Sequence, residues 1–173
     1  MAPRCRRLIP MIMASWLLPL GACGGGSAIT TPGPKGIVFP TTFSFTGAVT
    51  ASGNFTDTNS ANTATSCADF GRNGIVGTYF IRSPPRGQKL RDQRFEYESL
   101  VQGYHGPGEY TDVHSLVTMT VGDGAFQAGE GSGLRLTSHA DGSGRVLFES
   151  FTDVTDSSRH LSGRIEWTCR RAS

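Results

Sequence analysis

The chain has 173 residues, with 16 Lys+Arg, 14 Asp+Glu and a formal net charge of +2. Three of the arginines (Arg4, Arg6 and Arg7) sit at the very start, so beyond residue 22 the balance turns to 13 basic against 14 acidic residues. No Lys/Arg cluster interleaved with aromatics follows, which excludes a nucleic-acid partner, and the length allows one domain plus a tether.

Leu8 to Leu20 is apolar apart from Ser15 and holds 13 residues. A membrane span needs roughly 20 apolar residues, and Pro10 and Pro19 interrupt this run. A short apolar core behind a basic start, ending in small residues, is the pattern of a cleaved export signal. Leu20-Gly21-Ala22-Cys23 resembles the lipobox of bacterial lipoproteins, Leu-small-small-Cys. The resemblance implies cleavage before Cys23, a diacylglyceryl group on its thiol and often a third chain on its amine. Each buried methylene contributes about 0.8 kcal/mol, so two or more chains hold a protein firmly on a membrane. On this reading residues 1–22 are a signal peptide. The membrane is a partner through the lipid on Cys23, and the chain is anchored on the extracytoplasmic side of a bacterial membrane or envelope. The alternatives are an ordinary secretory signal with an incidental Cys23, and twin-arginine export through Arg6-Arg7.

Residues 23–40 are expected to be a tether. They run Gly-Gly-Gly-Ser, then Thr-Thr-Pro-Gly-Pro-Lys, and end at Pro40, a composition that buries little apolar surface. Residues 41–173 are expected to form a single β-rich domain. Phe43, Phe45, Val49, Ala51 and Phe55 alternate with Thr and Ser, which predicts one strand, or two strands bent at a glycine. Asp57 to Ser66 reads as a loop leading to Cys67. Ile75–Ile81, Phe95–Val101 and Val113–Val121 read as strands; Arg91–Leu100 also fits a short helix. Leu134–Thr137 and Arg145–Phe151, joined by Asp141-Gly142-Ser143-Gly144, read as a hairpin. In the last strand Leu161, Gly163, Ile165, Trp167 and Cys169 share one face.

Of the four cysteines, Cys5 precedes the cleavage site and Cys23 takes the lipid. Export to an oxidising compartment then predicts a Cys67–Cys169 disulfide against the Trp167 indole. With 23 glycines, short strands and no convincing helix, the expected fold is all-β, an antiparallel β-sandwich or small flattened barrel.

Three segments carry a further likeness: Phe45-Thr46-Gly47-Ala48-Val49 with Ser66-Cys67, then Gly103-Tyr104-His105-Gly106-Pro107-Gly108-Glu109-Tyr110, then Leu161 to Cys169. They resemble small secreted lipoproteins of actinobacteria and related bacteria. The closing Thr-Cys strand is similar to the mycobacterial lipoprotein antigen family. The resemblance implies a disulfide-bonded envelope lipoprotein and supplies no catalytic residue.

Candidate chemistry is sparse. His105, Glu109, Asp112 and His114 lie close together but match no established ligand spacing, so no metal site is expected. Asp69-Phe70-Gly71 lacks the rest of a kinase signature, and no Gly-x-Ser-x-Gly elbow exists. No catalytic residue and no cofactor is expected. The loop bearing Tyr104, His105 and Tyr110 reads as an architectural turn, made tight by its glycines and Pro107 with Tyr104 and Tyr110 covering the core on either side, and as the first choice of contact surface. The expected function is a non-enzymatic binding or envelope-interaction module with an envelope protein, glycan or lipid as partner. One alternative is a carrier of an apolar ligand lined by Phe43, Phe45, Val117 and Phe148; the other is a hydrolase.

Overall fold

Alternation of inward apolar and outward polar side chains builds the first hairpin. In the computed structural model, which describes residues 36–57, 64–74, 78–82, 89–90, 93–111, 116–122 and 124–172, β1 (Ile37–Gly47) and β2 (Ala51–Asp57) pair antiparallel from Phe39↔Asp57 to Phe45↔Ala51. Phe39, Phe43, Phe45 and Phe55 are buried, while Thr42, Thr46, Ser52, Asn54 and Thr56 are exposed. The period-2 stretch is therefore two strands, turned after Gly47. That residue has φ 105°, and a Cβ on it would lie 2.5 Å from the His160 carbonyl oxygen; only glycine meets both demands.

The domain starts earlier than residue 41. Ile37, Val38 and Phe39 are 6%, 5% and 0% exposed, and Ile37 and Val38 pair with Arg171 and Arg170. A three-residue apolar run joined to the sheet outweighs the Gly/Pro composition that precedes it. Pro40 falls where pairing of β1 passes from those arginines to the strand ending at Trp167, a break at which a missing N–H is tolerated.

A second departure from expectation is a two-turn helix, α1 (Cys67–Asn73). The Ser66 hydroxyl accepts from the Asp69 N–H at 3.1 Å, and Gly74 closes the helix at φ 59°. These are ordinary helix start and stop signals. Phe70 is wholly buried and its ring lies 4.6 Å from that of Phe39, so packing rather than propensity holds so short a helix.

The remaining strands are β3 (Thr78–Arg82), β4 (Lys89–Leu90), β5 (Gln93–Gln102), β6 (Gly108–Tyr110), β7 (Leu116–Val121), β8 (Gly124–Gln127), β9 (Arg135–Ser138), β10 (Gly144–Asp153), β11 (His160–Trp167) and β12 (Arg170–Arg171). Residues 93–102 are strand, not helix. The pairing runs β12-β1-β11-β10-β8-β7-β5-β3, with β2 on β1, β4 on β5, and β9 and β6 branching from β10. The result is an all-β, antiparallel sheet curled into a half-barrel.

The branch at β10 depends on a bulge. Gly144–Leu147 pair with β9, whereas Thr152 and Asp153 pair with β8, and the register with β11 shifts between Phe148 and Phe151. The Glu149 and Ser150 amides both donate to the Ser132 carbonyl, at 2.9 and 3.3 Å. Three residues apart in a regular strand, Phe148 and Phe151 would face opposite sides. The bulge turns both inward, where their rings stack with centroids 4.1 Å apart.

Cys67 and Cys169 form a disulfide with Cα atoms 5.6 Å apart. It joins the start of α1 to the chain just past β11. Trp167 is 3% exposed and its Nε1 donates to the Gly142 carbonyl at 3.1 Å. A Cβ on Gly142 would lie 2.6 Å from the Cys67 carbonyl oxygen and 3.1 Å from Cys169 Cβ. Disulfide and indole thus meet at one glycine in the β9–β10 turn. Among the described residues no helix is long and apolar enough to cross a membrane.

Candidate binding site

The segment from Gly103 to Tyr110 carries two expectations, an architectural turn and a first choice of contact surface, and its two tyrosines are buried, as the architectural turn requires. Tyr104 and Tyr110 are 6% and 7% exposed. The Tyr104 hydroxyl donates to the Gly71 carbonyl at 2.6 Å and shares a second hydrogen bond with Ser138 Oγ at 3.0 Å. Burial pushes its phenol above the ordinary range, and the Ser138 contact opposes that in part. The Tyr110 hydroxyl donates to the Gly106 carbonyl at 2.5 Å and accepts from the His105 N–H at 3.3 Å. Both rings brace the α1 end of the domain. Of the three, His105 alone is exposed, its ring 5.0 Å from that of Tyr110. Glu109 points to solvent and pairs with Arg135 at 3.2 Å. Asp112 and His114 lie outside the described residues, as does Cys23. Among the described residues no group of three His, Cys, Asp or Glu side chains could hold a metal ion.

An open groove of about 410 Å³ crosses β2, β1 and β11. Pro40 and the strand segments around Thr41, Phe55 and Trp167 form its floor. Thr42, Asn54, Thr56 and Thr168 are its exposed members, with Glu166 half-buried between them. Strand register explains the grouping. Thr42 lies opposite Asn54 on one side and Glu166 on the other, and Pro40 lies opposite Thr56. These side chains make no hydrogen bond to one another or to other described residues.

Polar side chains behave differently at the turns. Asp141 Oδ1 accepts from the Ser143 N–H at 2.9 Å and from its hydroxyl at 2.6 Å. Asp156 does the same with Ser158, at 3.0 and 2.6 Å. Asp153 accepts from the Thr155 N–H and hydroxyl at 2.9 and 2.8 Å, and from Arg159 Nη1 at 2.7 Å. These bonds hold all three carboxyls below their ordinary pKa. For Asp153 the Thr155 contacts contribute most and the Arg159 charge less. Each turn consumes its own hydrogen-bonding capacity, whereas the groove keeps its capacity open.

Two further features carry polar atoms. The Ser150 hydroxyl lies 3.2 Å from His160 Nδ1, a cross-strand pair at the surface, and no acidic side chain completes it into a triad among the described residues. Tyr97 and Ser99, two residues apart on β5, are 1% and 0% exposed; their hydroxyls find no well-formed hydrogen bond among the described residues, although the Ser99 hydroxyl lies close enough to the Tyr97 phenol to oppose part of the rise in its pKa. Burial pushes the Tyr97 phenol far above its ordinary value. Sequence reading missed the groove altogether. Its members come from β1, β2, β11 and the residue after β11, up to 128 positions apart along the chain (Pro40 to Thr168), and alternation marks the exposed ones only as outward-facing.

No protein-family model, curated protein or solved structure matches this chain.

Proposed function

We propose that the protein is a lipid-anchored, extracytoplasmic, non-enzymatic binding module. Cys23 carries the lipid, the segment after it links anchor to domain, and the groove across β2, β1 and β11 contacts an envelope partner. The observation that carries this reading is the Cys67–Cys169 disulfide. Such bonds persist in oxidising compartments and are rare in the cytosol, in agreement with an export signal over residues 1–22.

The groove is favoured over the Tyr104–Tyr110 loop because its exposed Thr42, Asn54, Thr56 and Thr168 side chains have no hydrogen-bond partner among the described residues, while the hydroxyls of the two tyrosines are engaged. It is also favoured over an internal carrier site. Phe43, Phe45 and Phe148 belong to one core cluster with Val117, and neighbouring rings lie 4.9 Å (Phe43–Phe45) and 5.9 Å (Phe45–Phe148) apart. The carrier is a second reading because the Tyr97 and Ser99 hydroxyls are buried with no partner but each other among the described residues; lipid retained in native mass spectrometry would establish it.

Two measurements test the proposal. Denaturing mass spectrometry of protein extracted from its own membranes should find a chain starting at Cys23 with added acyl mass. A chain cut elsewhere and free of lipid removes the anchor. A photo-crosslinking amino acid at position 42 should give adducts in those membranes, and one at position 105 should not. Adducts at 105 alone move the contact face to the loop.

A further inference from the structure

We infer that the groove across β2, β1 and β11 is a saccharide subsite, taking a short stretch of a neutral glycan chain. This rests on the contact-face reading above and specifies its ligand. Four observations converge on it.

The first is unused hydrogen-bonding capacity. The side chains of Thr42, Asn54, Thr56 and Thr168 line one concavity and bond to nothing else described. Hydroxyl and amide groups donate and accept, which suits a ligand whose own groups do both. The second is charge. Glu166 is the ionisable member of the lining among the described residues, and none of them that lines the groove is a Lys or Arg; the exposed Arg145 lies opposite Glu166 on β10, outside the lining. A phosphate, sulfate or acidic peptide seated in the groove would therefore meet a carboxylate before any cation.

The third is the place of the groove in the sheet. β1 is paired on both sides, to β2 and to β11, so its middle offers no free ladder for a peptide strand to join. An all-apolar ligand fits no better, because it would bury these hydroxyls without partners. The fourth is shape and stiffness. The groove, about 410 Å³, falls within the roughly 300–1,000 Å³ of small-ligand sites, where a few placed polar groups surround an apolar floor. Pro40 supplies floor for the C–H face of a sugar ring. The exposed hydroxyl bearers, Thr42, Thr56 and Thr168, are all threonines, whose β-branching restricts χ1 and lowers the ordering cost of binding.

The test is saturation-transfer NMR on the lipidated protein in micelles of a detergent without a sugar headgroup. The neutral probes are maltohexaose and the hexamer of N-acetylglucosamine; hexagalacturonate is the anionic control. At least one neutral hexamer should receive saturation and hexagalacturonate should not. Asn54→Ala and Thr42→Val should each weaken binding about tenfold, as expected for one hydrogen bond, and His105→Ala should leave it unchanged. Both sites are exposed on strands, and circular dichroism checks that each variant folds. Absence of transfer to either neutral hexamer, transfer to the anion alone, or binding that survives both substitutions overturns the inference. If crosslinks still form from position 42, the contact face stands and only its ligand class is wrong. If they do not, both readings fall.

Discussion

At the α1 end of the domain, Ser66, Tyr104, Tyr110 and Trp167 each engage a backbone or side-chain partner within the chain. On the face made by β2, β1 and β11, the side chains of Thr42, Asn54, Thr56 and Thr168 engage none among the described residues. The residue types overlap, so chemistry alone does not separate the two regions. The difference lies in what surrounds them. At the α1 end polar atoms are removed from water and must be paired, because an unsatisfied buried donor or acceptor costs about 1–3 kcal/mol. On the groove face water satisfies them, and a ligand can take its place at small cost. The first arrangement stabilises a fold; the second leaves a surface free to bind.

The largest effect that would break this contrast comes from the disulfide. Replacing Cys67 and Cys169 together by Ala opens a link between residues 102 positions apart. It should cost about 4–5 kcal/mol on loop-entropy grounds; an unchanged chemical-denaturation midpoint would show that α1 is held by packing alone. Gly142→Ala comes next. It forces a side chain onto φ 79° and toward the Cys67 carbonyl, and should cost about 3 kcal/mol in the same measurement. Tyr104→Phe keeps the ring and removes the hydroxyl that serves Gly71 and Ser138. A loss of about 1–2 kcal/mol is expected.

Acid should act more gently. The Asp141, Asp153 and Asp156 carboxyls are held below their ordinary pKa in the folded protein. Their stabilisation is therefore fully present above the unfolded carboxylate value, about pH 4, and is lost as pH falls through the lower folded values. Thermal melting should be flat against these groups near neutrality and decline below about pH 4. Asp153→Asn should make that decline shallower, and an identical acid profile would rule Asp153 out. The smallest effect sharpens the contrast from the other side. Thr42→Val and Asn54→Ala should each change stability by no more than about 0.5 kcal/mol. A loss several times larger would mean that these side chains belong to the fold rather than to a ligand site.

The sequence by itself determined the longer strands and their faces, but not the short β4, β6, β8 and β12. Alternation at Phe43 and Phe45, the Asp141–Gly144 turn, and Trp167 two residues from Cys169 are local signals, and the structure places these residues accordingly. With Cys67, the same cysteine also made the disulfide legible, since the expected fates of Cys5 and Cys23 leave one partner for each. Other features were present but too short to read. The Ser66–Asp69 cap and Gly74 bracket a helix with little apolar surface of its own, and its existence depends on Phe39 meeting Phe70. Ile37–Phe39 looked like the end of a tether because their partners lie at residues 57, 170 and 171. Only the tertiary structure decided which carbonyls the Tyr104 and Tyr110 hydroxyls meet, that β10 divides between two sets of neighbours, and that Asn54, Thr42 and Glu166 share one row. A sequence records which face of a strand a side chain takes. Which strands stand beside it depends on long-range pairing, and that pairing assembles the groove.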